Sequence, residues 1–280
     1  MKIDHESLIG TFEQKRELVR GFNLMDDDFF AVVMQDEKAF EVMLRILTQR
    51  DDLHVIKVRT QYNIRNLVGH SVVLDGFAED SQGKLYNIEV QVENNDYHPK
   101  RVRYYQSNID ISMLEKGKKY SELPDVYLIF ISAFDIFRKN QNHYEVKRMI
   151  DNSEVEVSNG IHELYFNSAV KDNTEISEFL QYLRNSDSGN DKYDSLSDRV
   201  KYYKETEEGV KHMCEAVRSY GDEREAIGKA EGEAKGEAVK LVELIKRIMK
   251  NTNCSLDEAL SMTGCTMEEY DKSVKLIESL

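Results

Sequence analysis

Three polar side chains interrupt a stretch that otherwise reads as β-structure: Asp75 within SVVLDGFAED (71–80), and Glu89 and Gln91 within KLYNIEVQV (84–92). Asp is depleted from strands, and an acid among Val72, Val73, Leu74 and Phe77 is costly unless it is solvated, paired or holding a cation. Side chains alternate across a strand, so Asn87, Glu89, Gln91 and Glu93 share one side and Tyr86, Ile88, Val90 and Val92 the other. Two readings of this pattern are open. One is an amphipathic hairpin whose polar side faces water. In the other, Asp75 and Glu89 converge from neighbouring strands, where two carboxylates raise each other's pKa unless a cation lies between them. Mg²⁺ takes hard oxygen ligands of that kind, one or two carboxylates completed by water and substrate phosphate. Such an ion polarises a phosphoryl oxygen and lowers the pKa of a bound water, so the chemistry open to this set is metal-assisted phosphodiester hydrolysis.

The flanking elements would have to place these groups. DDDFFAVVMQDEKAFEVMLRILTQR (26–50) reads as one helix, with acids at its start to suit the helix dipole and Phe30, Val33, Met34, Phe40, Met43, Leu44 and Leu47 at three-to-four spacing. Strands follow at 54–64, 71–79 and 85–93, the last two joined by DSQGK with Gly83 free to take positive φ. Pro99 suits the first turn of a helix running to about Lys116, with Val102, Tyr105, Ile109 and Met113 as its apolar stripe. DVYLIFISAF (125–134) is continuously apolar, as a buried central strand is. The order to residue 134 is thus helix, three strands, helix, strand: an α/β fold. HYEVKRMI and IHELYFNSAV read as two more strands. From 174 the pattern is helical, with a polar loop at 186–194; we expect one domain over 1–170 and a mostly helical, acidic region over 171–280. GKAEGEAKGEA places Gly228, Gly232 and Gly236 four apart on one helix face, in a segment too charged for a membrane. SLDE (255–258) and TMEE (266–269) fit the capping box and predict two short C-terminal helices, an acidic hairpin rather than a DNA-reading one.

The net charge of −14 argues at first against a nucleic-acid partner, but its distribution matters. Residues 1–150 carry 21 Lys and Arg against 24 Asp and Glu, and residues 151–280 carry 17 against 28. Within 98–120 six bases meet two acids, a local basic surface beside the motif. No apolar run reaches the roughly 18–20 residues that span a bilayer, and the first residues lack the apolar core of a secretory signal, so a cytoplasmic location without membrane association is expected. Cys214, Cys254 and Cys265 show neither CxxC pairing nor even number, which points to reduced, structural thiols rather than disulfides or a zinc site.

Asp75, thirteen residues, then Glu89-Val90-Gln91 resembles the PD-(D/E)xK nuclease signature, and the element order resembles that superfamily's restriction-endonuclease-like core. With YNIEVQ (86–91), RVRYYQSNID (101–110), LEKGKKYSELPDVYLIFISAFDIF (114–137) and the Gly-Glu-rich helix, the chain resembles the PD-(D/E)xK nuclease family transposases, or recombination-promoting nucleases, over about residues 24–170. The resemblance implies a DNA endonuclease acting on mobile or recombining DNA and dependent on Mg²⁺, with Mn²⁺ able to substitute. Asp75 and Glu89 would hold the metal together with the carbonyl of Val90, and Asp75, Glu89 and Gln91 would form the catalytic set. Gln91 stands where the signature has lysine; it can orient by hydrogen bonds but brings no positive charge, so activation would rest on the metal. Leu74 stands where the signature has proline. Lys100, Arg101 and Arg103, on the helix after the motif, are the candidate phosphate contacts, while Tyr104 and Tyr105 read as core packing. A homodimer would bring two sites to two strands.

Two other functions stay open: a nuclease-like scaffold that binds DNA or a partner without cutting, and a protein-binding module built on the acidic helices. A further expectation is that residues 205–280 mask the basic helix as a DNA mimic.

Overall fold

A computed structural model describes residues 11–64, 71–94, 98–187 and 189–278, without the side chains of residues 224, 227, 231 and 278. The first ten residues, on which the absence of a secretory signal was read, lie outside it. The chain divides into two compact units, one ending at Val217 and one beginning at Arg218.

The first unit opens with three helices, α1 (Phe12–Arg20), α2 (Asp27–Val33) and α3 (Glu37–Thr48). Thr11 and Gln14 form a capping box that starts α1, a T-x-x-Q signal present in the sequence. The single helix expected over 26–50 is broken at Met34–Asp36. Asp36 accepts from the backbone N–H of Lys38 at 3.1 Å and of Ala39 at 3.0 Å, and so caps a new helix instead of continuing the old one. The predicted apolar positions survive the break: Phe30, Val33, Met34, Phe40, Met43, Leu44 and Leu47 are all buried.

One six-stranded sheet follows, in the order β1-β2-β3-β4-β6-β5. β1 (Val55–Ile64), β2 (Val72–Asp80) and β3 (Leu85–Gln91) form an antiparallel meander, and β4 (Val126–Ser132) joins β3 in parallel through the crossover helix α4 (His98–Met113). β6 (Ile161–Asn167) runs parallel to β4, and β5 (His143–Val146) pairs antiparallel at the outer edge. Val102 and Ile109 of α4 are buried with Phe77, Leu85, Leu128 and Phe130, and Tyr105 and Met113 pack against them, which is the stripe predicted for this helix. The other side of β2 meets α2 and α3 closely. A Cβ on Gly76 would stand 2.9 Å from Phe40 Cε2 and 3.2 Å from Phe30 Cε1, so only glycine lets the strand approach these rings.

The β2–β3 turn is closed by a buried acid. Asp80 Oδ1 accepts from the N–H of Gln82 at 2.8 Å and of Lys84 at 2.9 Å, Tyr86 Oη donates to Asp80 Oδ2 at 2.8 Å, and Gly83 takes φ +77°. Helices α5 (Glu175–Arg184) and α6 (Asp194–Glu205), placed with the C-terminal region on sequence, belong to this first unit. Buried Lys204 anchors α6 by donating to the carbonyls of Arg20 at 3.1 Å, Ser186 at 2.6 Å, and Phe22.

Helix α7 (Glu207–Thr252) carries the chain into the second unit, which ends with α8 (Leu256–Thr263) and α9 (Met267–Glu278). Ser255 and Glu258 form the predicted capping box, and Thr266 and Glu269 make the same reciprocal bonds. Ile245, Ala259 and Leu260 form the small core of this unit. Among the described residues, no helix is long and apolar enough to cross a membrane.

Candidate active site

β3 is not the half-solvated strand that alternation suggests. Leu85 through Val90 are all buried, Asn87 and Glu89 at 2% exposure each, because β2 and β4 flank the strand and α4 covers the polar side. The reading of an amphipathic hairpin with its polar side in water is therefore overturned. Glu89 is a buried acid in the middle of a sheet.

The ladder explains how it meets Asp75. β2 and β3 pair from Glu79↔Leu85 to Gly76↔Ile88 and then part, although β2 stays paired with β1 to Val72 and β3 stays paired with β4 to Gln91. Asp75 and Glu89 are the first residues past the last pair, facing one another at the mouth of this fork. Their side chains replace the lost ladder bonds. Val90 N–H donates to Asp75 Oδ2 at 3.0 Å, and Asp75 N–H lies 3.4 Å from Glu89 Oε1. The sequence expectation that the two acids converge thus has a geometric basis; Val90 enters through its backbone N–H, which positions Asp75, whereas the contribution expected of it is its carbonyl.

Burial pushes the Glu89 carboxyl well above its usual range, the Asp75 charge pushes it further, and Arg101 and a hydrogen bond from Asn87 pull it back. Glu89 Oε2 is buried and accepts no hydrogen bond among the described residues; Arg101 Nη2 lies 3.5 Å away. Asp80 makes the contrast. It is 1% exposed, yet three donors satisfy it, so its burial is explained by the turn it closes. A buried carboxylate oxygen without a donor needs another explanation, and a cation supplies one. Among the described residues no three His, Cys, Asp or Glu side chains gather as a metal cluster. Two carboxylates are nonetheless the protein share that suits a divalent ion completed by water and phosphate.

The three candidate phosphate contacts separate. Arg101 does not point outward: Nη1 donates to Gln91 Oε1 at 2.9 Å, Nε donates to Tyr105 Oη at 2.9 Å, and the guanidinium lies 5.2 Å from the centre of the Tyr105 ring. Lys100 and Arg103 are exposed on α4, and Arg103 lies two residues on from Arg101, about 200° round the helix and away from the carboxylates. Tyr105 packs as expected, with its hydroxyl pushed up to about 12 by burial and by the nearby Glu89 charge. Tyr104 does not: it is 36% exposed on the face with Arg103. Sequence reading missed Asn87 and Tyr105 as partners of the site. Their signals were spacing alone, two residues before Glu89 on one strand face and four after Arg101 on one helix face.

A family model described as PD-(D/E)XK nuclease family transposase matches residues 40–235, from within α3 into α7, and so includes every residue of this site. The mixed α/β architecture is consistent with a fold of that kind. No curated protein and no solved structure matches the chain.

Proposed function

The chain belongs to the PD-(D/E)XK nuclease family transposases, and from that premise we propose that it is a metal-dependent DNA endonuclease acting on mobile or recombining DNA. The observation that carries the reading is the fork: two acids from adjoining strands meet where the ladder opens, and one of them has a buried oxygen without a donor. Asp75 and Glu89 would hold Mg²⁺, or Mn²⁺ in its place, with the Val90 carbonyl as a third oxygen. Bound there, such an ion would polarise a phosphoryl oxygen and acidify a water. Asp75 is oriented for this by the Val90 N–H, and Glu89 by Asn87. Gln91 would orient the attacking water or the phosphate by hydrogen bonding, as the third member of the catalytic set. Lys100 and Arg103, exposed on α4, would hold flanking phosphates, and Arg101 the phosphate nearest the acids. Hydrolysis is the proposed reaction; strand transfer would require a positioned 3′-hydroxyl as well.

The test is nicking of supercoiled plasmid with Mg²⁺ or Mn²⁺. Wild-type chain is expected to cut, and Asp75→Ala and Glu89→Ala each to lose at least about 100-fold. Cutting that survives both substitutions would remove the proposal. Gln91 in place of lysine favours one other reading, a nuclease-like scaffold that binds DNA without cutting; salt-sensitive binding with no nicking in either metal would select it.

A further inference from the structure

Arg101 is held from three sides, and the way it is held bears on the charge that Gln91 lacks. Its Nη1 donates to Gln91, its Nε to the Tyr105 hydroxyl, and its Nη2 stands 3.5 Å from the one Glu89 oxygen that no hydrogen bond reaches. The first two contacts are hydrogen bonds to neutral groups. The third is a longer ion pair and the weakest of the three in geometry. The side chain is 26% exposed, so it is in reach of solvent rather than sealed in the core. Glu89 Oε2 is also the oxygen that a cation at the fork would take.

We propose that Arg101 does two jobs in succession: without metal its guanidinium is the counter-ion of Glu89, and with metal it is the fixed positive charge that the lysine position of the motif does not supply. This rests on the reading of the fork as a metal site. A divalent ion on Glu89 Oε2 and a guanidinium nitrogen 3.5 Å from the same oxygen repel one another, so the two compete for it. Metal binding therefore takes Glu89 away from Arg101. The contacts to Gln91 and Tyr105 remain, and they keep the guanidinium beside the acids, aimed where a phosphoryl group would lie. Arginine suits this better than lysine, because its planar fork can keep two neutral acceptors while presenting the remaining N–H groups to a phosphate. Gln91 acquires a definite task in this arrangement: its carbonyl oxygen is the acceptor that positions Arg101, and a lysine there would repel it.

Arg101 is thus a competitor for metal and a helper of cleavage, and these have opposite signs. In the full-length chain, Mn²⁺ binding by calorimetry is expected to tighten about five- to tenfold in Arg101→Met, while plasmid cleavage falls at least about 100-fold. Arg101→Lys should keep the wild-type Mn²⁺ affinity to within about threefold and recover part of the cleavage. Tyr105→Phe, which leaves the charge but removes one holding contact, should lower cleavage with little change in Mn²⁺ affinity, and it covers the case in which Arg101→Met does not fold. Unchanged or weaker Mn²⁺ binding in a folded Arg101→Met would overturn the competition, and unchanged cleavage would overturn the assistance. A wild-type chain that binds no Mn²⁺, or binds it equally well as Asp75→Asn, would instead defeat the metal reading underneath.

Discussion

Glu89 and Asp80 are acids of equal burial on adjoining strands, and their surroundings separate a structural role from a functional one. Asp80 accepts two backbone N–H bonds that close one turn and a third bond from the Tyr86 hydroxyl, with Arg50 Nη1 3.7 Å away. Removing it leaves three donors without a partner, so Asp80→Ala should cost about 2–4 kcal/mol in urea unfolding. Glu89 has one oxygen that accepts no hydrogen bond among the described residues, a neighbouring acid that repels it, and compensation from Arg101 and Asn87. Glu89→Gln should therefore cost less than about 1 kcal/mol in the presence of EDTA, because it removes a charge the fold tolerates poorly. The same change should abolish cleavage. An unfolding penalty for Glu89→Gln as large as that for Asp80→Ala would mean that the Glu89 charge serves the fold rather than the site.

At the scale of elements, the fork depends on β2 being pressed against α2 and α3, and Gly76 is where that pressure is felt. Gly76→Ala places a methyl against two buried phenyl rings and should destabilise the chain by about 1–3 kcal/mol, with loss of cleavage because Asp75 is the next residue. Ordinary stability with intact cleavage would show that the packing beneath Asp75 is slack. On α6, burial lowers the Lys204 ammonium to about 8, against the pull of Asp26 and Asp187. A folded value below the unfolded one means that the native state releases its proton first. Stability then rises as pH passes from about 8 towards 10.5, relative to Lys204→Met, by on the order of 2 kcal/mol; denaturation midpoints of the two proteins at pH 7.5 and 9.5 measure this, and a relative fall would contradict it. Lys204 shows why part of the fold was not legible. Its partners lie on carbonyls up to 184 residues away, and nothing local in YYKET announces them. What was legible was periodic: the α4 stripe, the β4 apolar run and the C-terminal caps all formed. What was not legible was occlusion. Alternation correctly put Asn87, Glu89 and Gln91 on one side of β3 but could not say that α4 lies over that side, and so it left open a solvated hairpin that does not exist.

For the whole molecule, the division at Val217 changes how the charge is understood. Residues 218–280 carry 10 Lys and Arg against 13 Asp and Glu, a net −3, while residues 151–217 carry 7 against 15, a net −8. The acidity of the second half thus belongs mainly to the unit that holds the sheet, while residues 205–280, the segment expected to mask the basic helix, carry 11 Lys and Arg against 17 Asp and Glu, a net −6. DNA binding, if it follows the proposal, is carried by local cations in an acidic protein and should be strongly salt-dependent. Neutralising Lys100 or Arg103 should weaken it across all sequences and shallow the log–log salt slope by about one apiece; fluorescence anisotropy over a salt series reads this directly, and an unchanged slope would remove those two residues from the interface. Everything at this scale depends on whether the fork holds a metal. The most direct measurement is an anomalous difference map from a crystal of the full chain soaked in Mn²⁺. One peak is expected at the mouth of the fork, about 2.0–2.4 Å from carboxylate oxygens of both Asp75 and Glu89, with Glu89 drawn away from an Arg101 that stays on Gln91 and Tyr105. A map with no peak there, with Arg101 still on Glu89, would contradict it.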